Sequence, residues 1–81
     1  MEQDGRDSVA EASTGTQAVD RAAQLVSTVV HADEPLTFAA LQESSGLAKS
    51  TTSRMLAALE RADLLERDRD GSYVAGSLFW L

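Results

Sequence analysis

Hydrophobic and polar positions repeat along this chain with the period of short helices. From Gln17 to Ala32, small and apolar residues recur at spacings of three and four, which predicts an amphipathic helix. Leu25 falls off the main apolar face, beside Ala18 and Val29. It is therefore either a single exposed leucine or part of a second stripe that packs against a partner helix. The predicted inward face comprises Val19, Ala22, Ala23, Val26, Val29 and Val30.

Two further helices follow, separated by a sharp turn. Pro35 ends the first helix because the residue before a proline disfavours helical geometry. Thr37 is a predicted N-cap for a second helix from Phe38 to about Ser44. Gly46 supplies the positive φ that a turn between helices requires. A third helix is predicted from about Ala48 to Ala62.

The third helix divides into a polar beginning and an apolar remainder. Its predicted buried residues stand at positions i, i+3, i+4 and i+7, and they are Thr52, Met55, Leu56 and Leu59. The polar residues at its beginning are Lys49, Ser50, Thr51, Ser53 and Arg54. Such a division is typical of a helix that anchors its later turns in a core and presents its first turns to a polar surface.

A β-hairpin is predicted after the third helix. The runs LLERD (residues 64–68) and SYVA (residues 72–75) bracket Arg69-Asp70-Gly71, and Asp-Gly between such runs is a hairpin signal. A two-stranded hairpin is marginal alone, so it must pack against the helices. The side chains expected to provide that contact are Leu65, Tyr73 or Val74.

The order of these elements predicts a mainly α fold with a small β-hairpin, a winged helix-turn-helix. Over residues 16–81, the helix-turn-helix falls at about 38–57 and the wing at about 64–75. Residues 1–15 contain too little apolar surface to offset the entropy of ordering them, so we expect a disordered acidic tail. The chain ends within the apolar run Leu78–Leu81. We expect either a fragment of a longer protein or a terminal helix that packs in a dimer.

The composition of the chain limits the classes of protein to which it can belong. The chain has 81 residues, no cysteine and a formal net charge of −6. The lack of cysteine suits a reducing cytoplasm, and no apolar run approaches the roughly 18 residues that span a membrane. The acidity is uneven, because residues 1–20 hold one arginine and five acids, whereas residues 21–81 hold six basic and eight acidic residues. A local basic face therefore remains compatible with nucleic acid binding.

The sequence offers little for catalysis or metal binding. His31 is the only histidine and stands at the end of a predicted helix, which indicates a surface or capping residue. The acidic residues show no spacing typical of metal ligands or of an acid–base pair. Asp68-Arg69-Asp70-Gly71 resembles a calcium loop only superficially, because the remaining ligands are missing. We therefore expect the protein to have no enzymatic activity and to bind no metal ion or cofactor.

The polar beginning of the third helix is the strongest functional signal. The major groove of double-stranded DNA admits an α-helix, hydroxyl groups bond phosphates or bases, and Arg or Lys reads guanine. The alternative is an ordinary solvated face, because Ser and Thr also favour helix starts. The hairpin that follows carries Arg67 and Arg69. Arg69 is either at a wing tip that enters the minor groove or an ordinary solvated turn residue. Thr37 and Arg21 are weaker candidates for phosphate contacts. A winged helix that binds a partner protein is the competing function.

Three segments resemble a known family: VDRAAQLVSTVV, GLAKSTTSRMLAALERADLLERD and GSYVAG. From about Gln17 to its end, the chain is similar to the N-terminal domain of IclR-family bacterial transcriptional regulators. The resemblance implies a dimer that recognises a palindromic operator by sequence-specific binding, with residues 77–81 beginning a linker helix. It also implies an effector-binding domain, which is absent from this chain. The family usually has leucine at Ala23 and valine at Thr52, so we expect slightly looser core packing at these positions.

Overall fold

The computed structural model describes the backbone of residues 2–80 and the side chains of residues 16–80. Within residues 2–80 the chain forms three α-helices, a two-stranded antiparallel hairpin and a short 3₁₀ helix. This confirms the predicted winged helix-turn-helix. The elements are α1 (Glu2–His31), α2 (Phe38–Ser45), α3 (Lys49–Arg61), β1 (Leu65–Arg67), β2 (Tyr73–Ala75) and the 3₁₀ helix Ser77–Trp80.

The first helix has different bounds from those predicted. α1 extends over Glu2–His31, whereas the hydrophobic period predicted a start near Gln17. The disordered acidic tail was predicted for residues 1–15, which fall outside the residues whose side chains are described. That tail therefore stays a prediction.

The predicted inward face of α1 is confirmed at Ala22, Val26 and Val29 and was wrong at Val19, Ala23 and Val30. Leu25 and Val29 are buried, with 2% and 5% of their surfaces exposed, whereas Val19 is 64% exposed and Ala23 is also exposed. Leucine is the largest apolar side chain on the described part of α1, and its burial removes more apolar surface from water than burial of alanine or valine. Leu25 is thus a core residue. The α1 residues partly buried against the core are Ala22 and Val26.

The core lies where the helices meet the hairpin. Leu65 at the start of β1 and Tyr73 at the start of β2 are almost completely buried, so the hairpin packs on the helices through the predicted residues. Phe38 is half-buried against this core. The buried apolar residues are Leu25, Val29, Leu41, Leu56, Leu59, Leu65 and Tyr73.

Thr52 faces the core, as predicted, and its hydroxyl group is satisfied there. It is fully buried, and its Oγ1 donates a hydrogen bond to the carbonyl oxygen of Ala48 at 3.0 Å. A threonine in place of valine therefore leaves no unpaired polar atom in the core. The second departure from the family pattern, Ala23, lies on the exposed side of α1. The looser core packing expected at Ala23 was wrong.

The segment before α2 joins the helices to the wing. Leu36 forms an antiparallel bridge with Tyr73: the Leu36 N–H donates to the Tyr73 carbonyl at 3.1 Å, and the Tyr73 N–H donates back at 2.7 Å. Thr37 caps α2 as predicted, because its hydroxyl oxygen accepts the N–H of Ala40 at 3.1 Å. The entrance to α2 is thereby fixed against β2.

The end of α3 is locked to the start of the 3₁₀ helix by backbone contacts. Asp63 adopts a positive φ of 64°, and its carbonyl oxygen accepts the N–H of Leu78 at 3.0 Å. The N–H of Gly76 donates to the carbonyl of Leu64 at 2.9 Å. A Cβ added at Gly76 would overlap the backbone carbonyl group of Asp63, so only glycine permits this close approach.

Replacing Gly76 with alanine should lower the free energy of unfolding by about 1–3 kcal/mol, because the new methyl group overlaps backbone that is itself hydrogen-bonded. Urea denaturation measures the change. Ser77→Ala is the control: it alters the next, exposed residue and should stay within about 0.5 kcal/mol. An unchanged urea midpoint for Gly76→Ala would show that the junction is not tightly packed.

Candidate nucleic-acid interface

The first turns of α3 present one continuous polar surface. Burial of Thr52, Leu56 and Leu59 turns the opposite side of the helix outward. The side chains on that side are exposed, apart from Thr51, which is half-buried. We define the recognition surface as these five predicted residues: Lys49, Ser50, Thr51, Ser53 and Arg54.

The side chains of the recognition surface are free to bind a ligand. Within the described part of the chain, residues 16–80, these side chains form no hydrogen bond or ion pair with the rest of the protein. The surface combines two cationic groups with three hydroxyl groups on adjacent turns. Such groups bind phosphate oxygens and the edges of bases.

The N-terminus of α3 lacks a side-chain cap. Ala48 occupies the N-cap position with extended geometry (φ −62°, ψ 154°) and provides no capping hydrogen bond. The first turn of this helix also contains no acidic residue. The first N–H groups of a helix have no intrahelical partner, and the helix dipole adds partial positive charge there. The start of α3 is thus electrostatically suited to an anion.

Hydrogen bonds within the turn fix α3 relative to α2. Ser45 Oγ donates to the carbonyl of Gln42 at 3.0 Å and accepts the N–H of Leu47 at 3.1 Å. Gly46 adopts the left-handed conformation predicted for it, with a φ of 71°. Sequence analysis missed the role of Ser45. The available signal was a serine beside the turn glycine, because serine hydroxyl groups often bond nearby backbone.

The other candidate residues lie on separate elements. Thr37 is exposed at the N-terminus of α2, where its hydroxyl oxygen already accepts a backbone N–H. Arg21 is half-buried, and its Nη1 donates to the carbonyl of Ser45 at 3.4 Å, a long hydrogen bond. Four of the five guanidinium N–H donors remain for another ligand. Arg69 is exposed at the tip of the hairpin.

Arg67 has a structural partner, unlike Arg69. Its Nε lies 3.3 Å from Oε2 of Glu60 on α3, and its guanidinium carbon lies 5.0 Å from the centre of the Tyr73 ring. Burial raises the pKa of the Tyr73 phenol, and the positive charge of Arg67 partly opposes that shift. Arg67 therefore joins the hairpin to α3, whereas the side chain of Arg69 has no hydrogen bond or ion pair within residues 16–80.

His31 has a partner within its own helix. The Nδ1 atom of His31 lies 2.9 Å from the carbonyl oxygen of Ser27, one turn earlier on α1. Among the described residues, no three His, Cys, Asp or Glu side chains gather in a way that could hold a metal ion. None of the helices in that same part is long and apolar enough to cross a membrane.

Comparison with known proteins decides the family. The family model described as the IclR helix-turn-helix domain matches residues 18–69, which is more than half of the chain. The chain belongs to the IclR family. The matched range contains α2, α3, the recognition surface and Arg69.

A solved structure supports the same assignment for the IclR chain. The crystal structure of the Agrobacterium tumefaciens repressor BlcR superposes with a TM-score of 0.71 and 29% sequence identity. The alignment covers 86% of this chain and 29% of the BlcR chain. No curated protein matches this chain. The IclR helix-turn-helix match and the similarity to a repressor structure support a DNA-binding function in transcription regulation for this domain, rather than an enzymatic one.

The open N-terminus of α3 gives a test in which stability and DNA binding change in opposite directions. Ala48→Asp supplies the missing cap and should raise the free energy of unfolding by about 0.5–2 kcal/mol. The same carboxylate should weaken DNA binding, because it places negative charge where a phosphate would approach. Thermal unfolding and fluorescence anisotropy with labelled duplex DNA measure the two effects.

Ala48→Ser is the matched control, because it caps the helix without adding charge. It should stabilise the IclR domain while retaining more DNA affinity than Ala48→Asp. If both variants bind DNA as tightly as the wild type, the N-terminus of α3 does not approach the phosphates.

Proposed function

We propose that α3 lies in the major groove of double-stranded DNA and reads an operator by sequence. The observation that carries this proposal is the recognition surface, where exposed side chains have no partner within residues 16–80. Lys49 and Arg54 supply the cations that pair with guanine O6 and N7. The hydroxyl groups of Ser50, Thr51 and Ser53 supply bonds to phosphates and bases.

The remaining candidates contact the DNA backbone and the minor groove. Arg69 enters or borders the minor groove from the wing tip, where a narrow groove attracts arginine. Thr37 donates its hydroxyl hydrogen to a phosphate while its oxygen keeps capping α2. Arg21 reaches a phosphate with the guanidinium N–H groups that do not bond Ser45. These contacts set the orientation of α3 on the duplex rather than the sequence that it reads.

The functional unit is a homodimer on a palindromic operator. Leu78, Phe79 and Trp80 are 47%, 46% and 76% exposed, and the exposed Val30 of α1 lines the same surface cavity as Trp80. Contiguous exposed apolar surface is typical of protein–protein interfaces. Covering these side chains with the same surface of a second copy gives a twofold dimer. Two α3 helices then read related half-sites, whose spacing equals the separation of the helices along the duplex.

The proposed layout assigns DNA binding to residues 16–81 and an acidic tail to residues 1–15. The tail contributes four of the acidic residues, so it opposes rather than assists the approach to phosphate. Because a regulator of this family acts on bacterial DNA, we propose that the protein acts in the cytoplasm of a bacterium.

Selection of bound sequences from a random pool of duplex DNA tests the function and the dimer together. We expect enrichment of a palindrome with a fixed spacing between its half-sites. Enrichment of a single half-site would contradict the dimer and leave DNA recognition intact. Recovery of no enriched sequence at low salt would contradict sequence-specific binding.

Replacing Arg54 with alanine should weaken binding to the selected operator by about 1–3 kcal/mol and relax the sequence preference, because a base contact is lost. Anisotropy titrations at a fixed salt concentration measure the affinity for operator and for mismatched duplexes.

Arg61→Ala is the matched control for that variant. It removes the same charge from an exposed position about two turns further along α3, in the last turn and outside the recognition surface. We expect its sequence preference to equal that of the wild type. Equal losses of affinity in both variants would reduce the role of Arg54 to general electrostatic attraction.

A further inference from the structure

We propose that Asp68 is the positioning residue of the wing, and that its carboxylate folds the hairpin tip so that Arg69 is held ready for DNA. Oδ1 of Asp68 accepts the backbone N–H groups of Asp70 and Ser72, each at 2.9 Å. Both donors follow Arg69 in the chain, whereas Asp68 precedes it, so the carboxylate bridges the turn that carries Arg69. The proposal rests on the contact of Arg69 with DNA proposed above.

Backbone hydrogen bonds complete the frame around the same residue. The N–H of Asp68 donates to the carbonyl of Ser72 at 2.8 Å, and the N–H of Gly71 donates to the carbonyl of Asp68 at 3.0 Å. Asp68 thus takes part in four hydrogen bonds that close the tip. Gly71 adopts a positive φ of 83°, which this tight closure requires.

Fixing the tip before DNA arrives lowers the entropic loss on binding. A long arginine side chain on a loose turn must be ordered together with its backbone when it contacts DNA. In a tip already closed by Asp68, only the Arg69 side chain remains to be ordered. Asp68 does not touch DNA in this scheme and acts through the position of Arg69.

The charges at the tip indicate that Asp68 contributes through its hydrogen bonds and not through its charge. Its carboxylate lies beside Arg69 in a loop that approaches phosphates, so the charge itself weakens DNA binding. Asp70 carries the same charge, but it is exposed, and its side chain has no hydrogen bond within the described residues. The two aspartates therefore differ in geometry and share their electrostatic effect, which makes Asp70 the natural control.

Substitution of each aspartate by asparagine and by alanine separates charge from geometry. Asparagine removes the charge but keeps an oxygen that accepts the same N–H groups, whereas alanine removes both. The affinity of the 81-residue chain for its selected duplex is measured at one salt concentration. We expect Asp68→Ala to bind about three- to tenfold more weakly than Asp68→Asn. Asp70→Ala and Asp70→Asn should bind equally.

Further variants test whether the effect acts through Arg69 and whether it depends on the position of the acceptor oxygen. In an Arg69→Ala background, the difference between Asp68→Ala and Asp68→Asn should disappear. Asp68→Glu keeps the charge but displaces the acceptor by one methylene group, so it should bind more weakly than the wild type. Asp70→Glu should bind DNA as tightly as the wild type. Thermal unfolding of each variant shows that the helices remain folded.

Equal affinities for Asp68→Ala and Asp68→Asn, with wild-type affinity for Asp68→Glu, would overturn the proposal. A difference that persists in the Arg69→Ala background would also overturn it, because Asp68 would then act on something other than Arg69. Failure of the proposed function gives another pattern, in which the wild type selects no duplex or Arg54→Ala binds normally.

Discussion

Burial of one face of α3 is the constraint on which the rest of this domain depends. Leu56 and Leu59 enter the core, and Thr52 joins them by bonding its hydroxyl group to the preceding turn. Because a helix has 3.6 residues per turn, this burial decides which side chains of the first turns point outward. The recognition surface is therefore a consequence of core packing, and a change of helical phase would bury Arg54 or Lys49.

The same constraint explains how an acidic chain can carry a DNA-binding surface. The net charge of −6 is a property of the whole chain, whereas α3 has no acidic residue in its first turn. Two acidic residues near the hairpin have structural partners: Glu60 pairs with Arg67, and Asp68 bonds two backbone N–H groups. Local placement of charge thus matters more than its sum. A committed carboxylate still repels phosphate, so the net acidity favours selective over indiscriminate binding.

The hydrophobic period predicted the buried face of α3 but only part of the buried face of α1, and the difference has a physical reason. On α3 large apolar residues stand on one face and polar residues on the other, so only one phase of the helix is stable. On α1 small apolar residues occur on several sides, and Val19, Ala23 and Val30 formed a face as regular as the true one. The prediction used only the spacing of apolar residues. In the folded domain, the large side chain of Leu25 is buried in preference to smaller apolar side chains at equally regular spacings.

The side-chain contacts that hold the wing in place could not be predicted from the sequence. The Asp-Gly pair predicted a hairpin, and the hairpin is present. The ion pair of Arg67 with Glu60, by contrast, joins two elements whose orientation depends on the whole core. Asp68 accepts its two hydrogen bonds only for one backbone path through the turn. The same residues are compatible with several turn geometries, so the sequence does not specify that path.

The exit from α3 links the recognition surface to the apolar side chains that follow the hairpin. Asp63 ends the helix region with a positive φ, and its carbonyl bonds Leu78, while Gly76 packs against its backbone. These contacts join backbone to backbone, so the 3₁₀ helix cannot tilt against α3 without breaking them. Leu78, Phe79 and Trp80 are consequently held at a fixed orientation to Lys49–Arg54. If these apolar residues are the dimer contact, the half-site spacing is set by this short backbone lock rather than by side-chain packing alone.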